Sequence, residues 1–179
     1  MTRSTLVILC FVLLVALAAC SRSGQGPTGE TANNPAASPE AQRITSESLV
    51  RAEANPVEIS AGGSGQAIVR VTVQPGYHIN ANPPSYPYLK ATEVEVADLE
   101  DMSVDYVYYP NPLVKKFEFA EGPLKVYEGE TPVTIAFKVA KSAKKGERSI
   151  SGTLRIQACD DRVCYPPGSI GVKIPFTVK

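Results

Sequence analysis

The sequence predicts an all-β fold, an immunoglobulin-like β-sandwich of about seven to nine strands. Three observations lead there. Apolar residues recur at every second position in short runs, and Gly- and Pro-rich turn signals separate those runs. No window of ordinary helix length carries a 3.6-residue apolar stripe. With 15 Pro and 13 Gly in 179 residues, long helices would be broken repeatedly.

The chain opens on an address rather than on structure. Arg3 is followed by fourteen apolar residues, Leu6 to Ala19, too few for a span that needs about 20. The run closes on Leu17-Ala18-Ala19-Cys20. Small residues before a Cys resemble a bacterial lipoprotein signal. That resemblance implies cleavage before Cys20, lipid on its sulfur and acylation of its amine, so that the lipid bilayer holds the protein through Cys20. Ser21, in place of Asp, points by analogy to the outer membrane. Residues 1–19 are therefore expected to be the signal peptide, in a chain that works in the cell envelope facing the periplasm. Residues 20–47 are the lipidated Cys and a disordered tether rich in Ser, Gly, Pro, Ala, Asn and Thr. About 26 such residues span roughly 30 Å.

Residues 48–179 carry the sandwich. Ala67, Val69, Val71 and Val73 alternate with Ile68, Arg70 and Thr72. Val104, Tyr106 and Tyr108 alternate with Asp105 and Val107, and Val133, Ile135, Phe137 and Val139 do so with Thr134, Ala136 and Lys138. Ile150, Leu154 and Ile156 form a fourth run; Ile170, Val172, Ile174, Phe176 and Val178 form a fifth. Each is the mark of a strand with one buried face. Pro175 inside the last run predicts an edge strand. Tyr106, Tyr108 and Tyr109 are expected in sandwich core and edge, and Lys141, Lys144 and Lys145 in a solvated turn. No domain break is apparent after Ser48, and about 130 residues suit one sandwich.

Composition removes several functions. Eighteen basic residues balance eighteen acidic ones, so there is no electrostatic footprint for nucleic acid. One His, His78, excludes multi-His metal sites. Of four Cys, Cys10 leaves with the signal and Cys20 takes lipid, so Cys159 and Cys164 remain, in an oxidising compartment.

These two sit in Gln157-Ala158-Cys159-Asp160-Asp161-Arg162-Val163-Cys164-Tyr165-Pro166-Pro167, between strand patterns over 148–157 and 170–178. The gap permits a disulfide in a loop at a sheet end. Closing a six-residue ring stabilises by roughly 2 kcal/mol, against roughly 4 kcal/mol for a bridge across 60 residues. The bridge is thus a weak staple, which leans towards an exchangeable pair. From spacing alone a small structural disulfide remains the favoured reading. Asp160 and Asp161 make the loop locally negative and should raise thiol pKa values.

The run Q-A-C-D-D-R-V-C-Y-P-P resembles the active-site loop of the N-terminal periplasmic domain of the thiol:disulfide interchange protein DsbD. The runs Pro75-Gly76-Tyr77-His78-Ile79-Asn80-Ala81-Asn82-Pro83-Pro84 and Pro123-Leu124-Lys125-Val126-Tyr127-Glu128-Gly129 are similar to two further parts of that family. The resemblance spans roughly residues 48–179. It implies an immunoglobulin-like fold and a redox-active pair, Cys159 and Cys164, acting as a protein thiol-disulfide oxidoreductase without a dissociable cofactor. It implies a thioredoxin-like or membrane electron donor acting in trans, and oxidised envelope proteins as clients. It implies a cap loop over the pair, matched here by 116–122, with Phe117 or Phe119 as the lid and Phe119 the better placed. Tyr165, Pro166 and Pro167 carry over as loop-shaping residues. The family's best-known members continue into a membrane carrier; this chain ends at Lys179, hence the donor in trans. Two other readings stay open: a non-catalytic lipoprotein with a structural bridge and a protein-binding sandwich, and a copper-handling module using Cys159, Cys164 and His78. Against the second, nothing in the sequence sets His78 beside Cys159, and a packed His is the simpler expectation.

Overall fold

The computed structural model describes residues 43–97 and 99–179. The expected signal peptide, Cys20 and the expected tether up to residue 42 lie outside the described residues. What is described is all-β, an immunoglobulin-like sandwich, with a single 3₁₀ turn at Ser46–Leu49. Twelve strands are present among the described residues, and eight of them are longer than three residues.

Two four-stranded sheets form the frame. The first has the order β1 (Val50–Ala54), β3 (Ser64–Val73), β9 (Glu130–Val139), β6 (Met102–Tyr108). The second has the order β2 (Val57–Ile59), β12 (Gly168–Val178), β10 (Gly146–Ile156), β5 (Glu93–Val96). The inward members of the alternating runs meet in one cluster. Val69 and Val71 from β3 and Ile135 and Phe137 from β9 pack with Ile150 and Leu154 from β10 and Ile174 and Phe176 from β12. All are at most 2% exposed, so the period-two pattern is what makes the two sheets pack face to face. Between β1 and β2 the chain crosses from one sheet to the other at Asn55-Pro56, where Pro cannot continue a ladder.

The frame positions the cysteine loop. β10 and β12 pair antiparallel over eleven residues each, from Gly146↔Val178 to Ile156↔Gly168. Residues 157–167 are therefore the connection of the longest hairpin, at one end of the sandwich. At that end lies a third, smaller sheet, of order β11 (Ala158–Cys159), β4 (His78–Asn80), β8 (Leu124–Tyr127), β7 (Leu113–Lys115). A second apolar cluster, Phe117, Leu124 and Val126, sits under it.

Three expectations need correction. β12 is an interior strand, paired with β10 on one side and with β2, in parallel, on the other. Pro175 is tolerated one residue before the β2 pairing begins at Phe176. Val104, Tyr106 and Tyr108 do not enter the core; they are 39%, 51% and 55% exposed. β6 is the outer strand, and its register shifts between Val104 and Tyr106, so one extra residue, Asp105, breaks the alternation. Thirdly, the ordered fold starts before Ser48. Ser46 is fully buried in the 3₁₀ turn, and the Ser48 hydroxyl closes that turn by accepting from the Thr45 N–H and donating to the Thr45 carbonyl.

Candidate functional site

Cys159 and Cys164 form a disulfide with their Cα atoms 3.9 Å apart. The loop that carries them is closed by the backbone. The Asp160 N–H donates to the Val163 carbonyl at 2.9 Å, and the Tyr165 N–H donates to the Ala158 carbonyl at 2.8 Å. One Asp160 oxygen accepts from the N–H groups of Arg162 and Val163, both at 2.8 Å, a side-chain turn that shapes the tip. Its other oxygen accepts from the Tyr165 hydroxyl at 2.8 Å. The Arg162 N–H, the Tyr165 hydroxyl and the Val163 N–H together hold the Asp160 carboxyl below its ordinary range. The same carboxylate pushes the Tyr165 hydroxyl up to about 12. Tyr165 is thus a loop-shaping residue by its own hydrogen bonds.

Pro166 and Pro167 divide. The Pro166 carbonyl accepts from the Ser46 hydroxyl at 2.6 Å, and the Ser46 oxygen accepts from the Ala158 N–H at 3.0 Å. Ser46 therefore ties the two sides of the loop together, next to one cysteine and two residues from the other. Glu47 adds a hydrogen bond from the Ser169 N–H at 3.2 Å. Pro167 instead lines a separate cavity of about 500 Å³ with Gly168 and Ser169.

The two sulfurs have different surroundings. Cys159 is fully buried, on β11. Cys164 is half-buried and opens on a cavity of about 360 Å³ that it shares with Tyr88, Leu89, Phe119, Ala120 and Val163. That cavity is an apolar approach to the disulfide, and Phe119 stands in its wall.

The segment 116–122, expected to be a cap, lies in the loop between β7 and β8. Phe117 and Phe119 are both outside strands, and their fates differ. Phe117 is 6% exposed and belongs to the cluster with Leu124 and Val126. Phe119 is 38% exposed. The rings stack in series: Phe117 on Phe119 at 5.5 Å and 24°, and His78 on Phe117 at 4.1 Å and 19°. On the other side of the cap, Lys116 and Glu118 face Asp161 and Arg162 across a cavity of about 440 Å³.

His78 is packed, as expected, and its place in the fold is one the sequence does not show. β11 and β4 are antiparallel, and Cys159 is the direct register partner of His78. Residues directly opposite in such a pair put their side chains on one face, with Cβ atoms about 4.5–5.5 Å apart. The structure thus sets His78 beside Cys159, which no local pattern could reveal. His78 is 1% exposed, and its Nε2 has no hydrogen-bond partner among the described residues. Burial lowers its pKa most, the Glu128 and Asp161 charges raise it, Lys115 lowers it and Asp160 raises it. Among the described residues, no group of three or more His, Cys, Asp and Glu side chains is arranged to hold a metal.

Two residues escaped the sequence reading. Ser46 was assigned to the tether; the one available signal was Thr45-Ser46-Glu47-Ser48, the polar start of a helical turn. Asn80 is fully buried, its amide donating to the Lys90 carbonyl at 3.1 Å and to Gln157 Oε1 at 3.2 Å. It fixes the residue from which the cysteine loop departs.

A family model described as "Thiol:disulfide interchange protein DsbD, N-terminal" matches residues 45–173. The chain belongs to that family. The match starts at Thr45, the residue that caps the 3₁₀ turn. Thiol-disulfide interchange is the role of the DsbD N-terminal family in general. Several solved structures are similar in shape. The reduced DsbD N-terminal domain of Neisseria meningitidis is 22% identical, with 75% of this chain and 91% of that chain covered and a TM-score of 0.47. The N-terminal periplasmic domain of ScsB from Proteus mirabilis is 20% identical over 70% of this chain and 44% of that chain, with a TM-score of 0.48. A cohesin from Pseudobacteroides cellulosolvens is 15% identical over 73% and 92%, with a TM-score of 0.46. No curated protein matches the chain in sequence.

Proposed function

We propose that this DsbD N-terminal domain relays electrons through Cys159 and Cys164, from a thioredoxin-like or membrane-embedded donor in trans to oxidised envelope proteins. The observation that carries the proposal is the asymmetry of the pair. One sulfur is buried, and the other opens on an apolar cavity walled by an aromatic side chain. A donor thiolate attacks Cys164 Sγ, the bond to Cys159 breaks, and Cys159 leaves with the electron pair. A mixed disulfide joins donor and Cys164 until the donor's second thiol displaces Cys164. Delivery to a client runs the same steps in reverse order. Phe119 is the lid that a docking partner displaces. Tyr165 and Pro166 hold the loop through Asp160 and Ser46.

The leader and Cys20 support the rest of the reading. A lipid on Cys20 would hold the domain in the envelope, facing the periplasm, with the outer membrane the expected site. The similar domain from Neisseria forms a complex with the PilB N-terminal domain. The equivalent partner here is the expected donor or client.

Two measurements test this. The full chain is equilibrated in graded thiol buffers, and the state of Cys159 and Cys164 is read by alkylation. A potential between about −180 and −270 mV supports exchange; one below about −300 mV makes the bridge structural and overturns the reading. Single Cys→Ser variants then identify the attacked sulfur. Cys159→Ser should trap a mixed disulfide with a thioredoxin-like protein, and Cys164→Ser should not. Phe119→Ala should speed reduction by a small thiol and leave the melting temperature little changed.

A further inference from the structure

His78 is not used by the relay just described, yet it is the direct register partner of the residue that carries its buried sulfur. A buried polar atom without a partner costs about 1–3 kcal/mol, and such exceptions ask for an explanation. His78 Nε2 is one: the ring is 1% exposed, and Phe117 covers one face at 4.1 Å. Its register partner across the strands is Cys159. In the disulfide, Cys159 Sγ has no proton to share. Once reduced, the same sulfur carries an S–H on the face that His78 occupies. The unmet group of the oxidised state and the new donor of the reduced state therefore belong to directly paired residues on one face of the small sheet.

We propose that His78 is the proton acceptor for the Cys159 thiol in the step that closes the disulfide. The proposal rests on the redox role given above and deepens it. The chemistry needs such a group. Burial in apolar surroundings raises a thiol's pKa and leaves it protonated, and a protonated thiol is not a nucleophile. Cys159 is fully buried, with Ala158 before it and the acidic Asp160 after it. Without a base it would resolve a mixed disulfide slowly at neutral pH.

The step balances as follows. Cys164 is joined to a client sulfur, and Cys159 is a thiol. His78 takes the Cys159 proton and becomes an imidazolium. The Cys159 thiolate attacks Cys164 Sγ, the Cys159–Cys164 bond forms, and the bond to the client breaks. The client leaves as a thiolate with the electron pair, and the imidazolium returns the proton to it through solvent. Two electrons have passed from the cysteine pair to the client, and His78 is neutral again. Charged groups around the ring tune the exchange: Glu128 beyond β8, Lys115 at the end of β7, and Asp160 and Asp161 in the cysteine loop. Burial lowers the His78 pKa most and holds the ring neutral at rest; the three acidic groups act against that and favour the transient imidazolium.

The test separates the two cysteines in time. The full chain carries Cys10→Ser and Cys20→Ser, so that Cys159 and Cys164 are its only thiols. Reduced protein is mixed with an aromatic disulfide, dithiobis(nitrobenzoate), in a stopped-flow instrument. The first coloured thiolate reports attack by Cys164; the second reports closure by Cys159. General-base catalysis contributes about 10²–10⁴-fold. His78→Phe, which keeps an aromatic ring against Phe117, should leave the first phase unchanged. It should slow the second at least about tenfold at neutral pH and move its pH midpoint upward. His78→Gln, which bonds but takes no proton, should also stay slow. Equal second phases in wild type and His78→Phe, with equal pH profiles, would overturn the proposal.

A measurement on the protein without a substitution at His78 guards against a variant that does not fold. His78 is the single His of the chain, so its imidazole resonances assign themselves. Its titration by NMR should differ between the oxidised and the reduced protein; identical curves overturn the proposal. Failure of the relay itself would look different. A potential below about −300 mV would remove the exchange function while leaving both His78 readouts measurable.

Discussion

The two large sheets and the small end sheet are built on opposite economies. The frame is apolar: the buried positions of β3, β9, β10 and β12 are Val, Ile, Leu, Phe and Ala, with Thr131 the one buried polar residue among them. The end that carries the disulfide collects the rest. Ser46, His78, Asn80 and Thr92 are all buried there. Each of the other three has a hydrogen bond: Ser46 to Pro166 and Ala158, Asn80 to Lys90 and Gln157, and Thr92 Oγ1 to the Asn80 carbonyl at 2.6 Å. Two atoms at this end have no partner among the described residues, Asn80 Oδ1 and His78 Nε2, and of these two residues His78 is the one paired in register with a cysteine. The frame is held by area removed from water, which is indifferent to small shifts. The end sheet adds directional bonds to its own apolar cluster, and these fix the position of a sulfur. Stability and function are thereby separated along one hairpin, β10–β12, whose strands belong to the frame and whose connection belongs to the site.

The largest effect that would sharpen this contrast is Phe137→Ala. Phe137 is 1% exposed in the frame, and the change should cost about 3–5 kcal/mol in denaturant unfolding. The potential of the cysteine pair should not move. If it did, the two regions would not be separable.

Ser46→Ala should behave the other way. It removes the partner of the Ala158 N–H and of the Pro166 carbonyl, at about 1–3 kcal/mol. Hydrogen exchange should accelerate at the cysteine loop and hardly at β3 or β9. Uniform acceleration would break the comparison.

Reducing the disulfide should lower stability by only about 2 kcal/mol, because the closed ring is short. Chemical unfolding of the oxidised and reduced chains checks this.

Acid should act on the end sheet first. Burial sets the folded His78 pKa below its ordinary 6.5, so below that pH the unfolded chain binds the proton more readily. Stability therefore falls as pH drops from about 6.5 towards the folded pKa, and His78→Phe should flatten that part of the curve. The smallest effect is spectroscopic. Asp160→Asn should bring the Tyr165 hydroxyl down from about 12 towards 10, visible in a tyrosinate absorbance titration.

Much of the frame was legible because it is local. The pattern is plainest in β3, where Ala67, Val69, Val71 and Val73 alternate in the sequence and alternate in burial. The tyrosines of β6 misled for a physical reason: an outer strand tolerates an extra residue, and a single bulge turns the face of everything after it. The cysteine loop stood out by its residues, and its place between two long strands followed from their patterns. The sequence does not separate Phe117 from Phe119 by burial; the structure makes the first 6% and the second 38% exposed. Ser46 was hidden because an Ser in polar company reads as tether until its distant partners are known.

Sequence alone determined the all-β class, the five principal strand runs, the hairpin connection with its two cysteines, and the family. All of these follow from periods, turn residues and short motifs, which are properties of neighbouring residues. Tertiary structure decided which sulfur is buried, that Ser46 closes the loop from 112 residues away, and that His78 faces Cys159. Those depend on strand register across the small sheet. Register is set by the packing of the whole end of the sandwich, so no stretch of sequence near His78 or near Cys159 contains it.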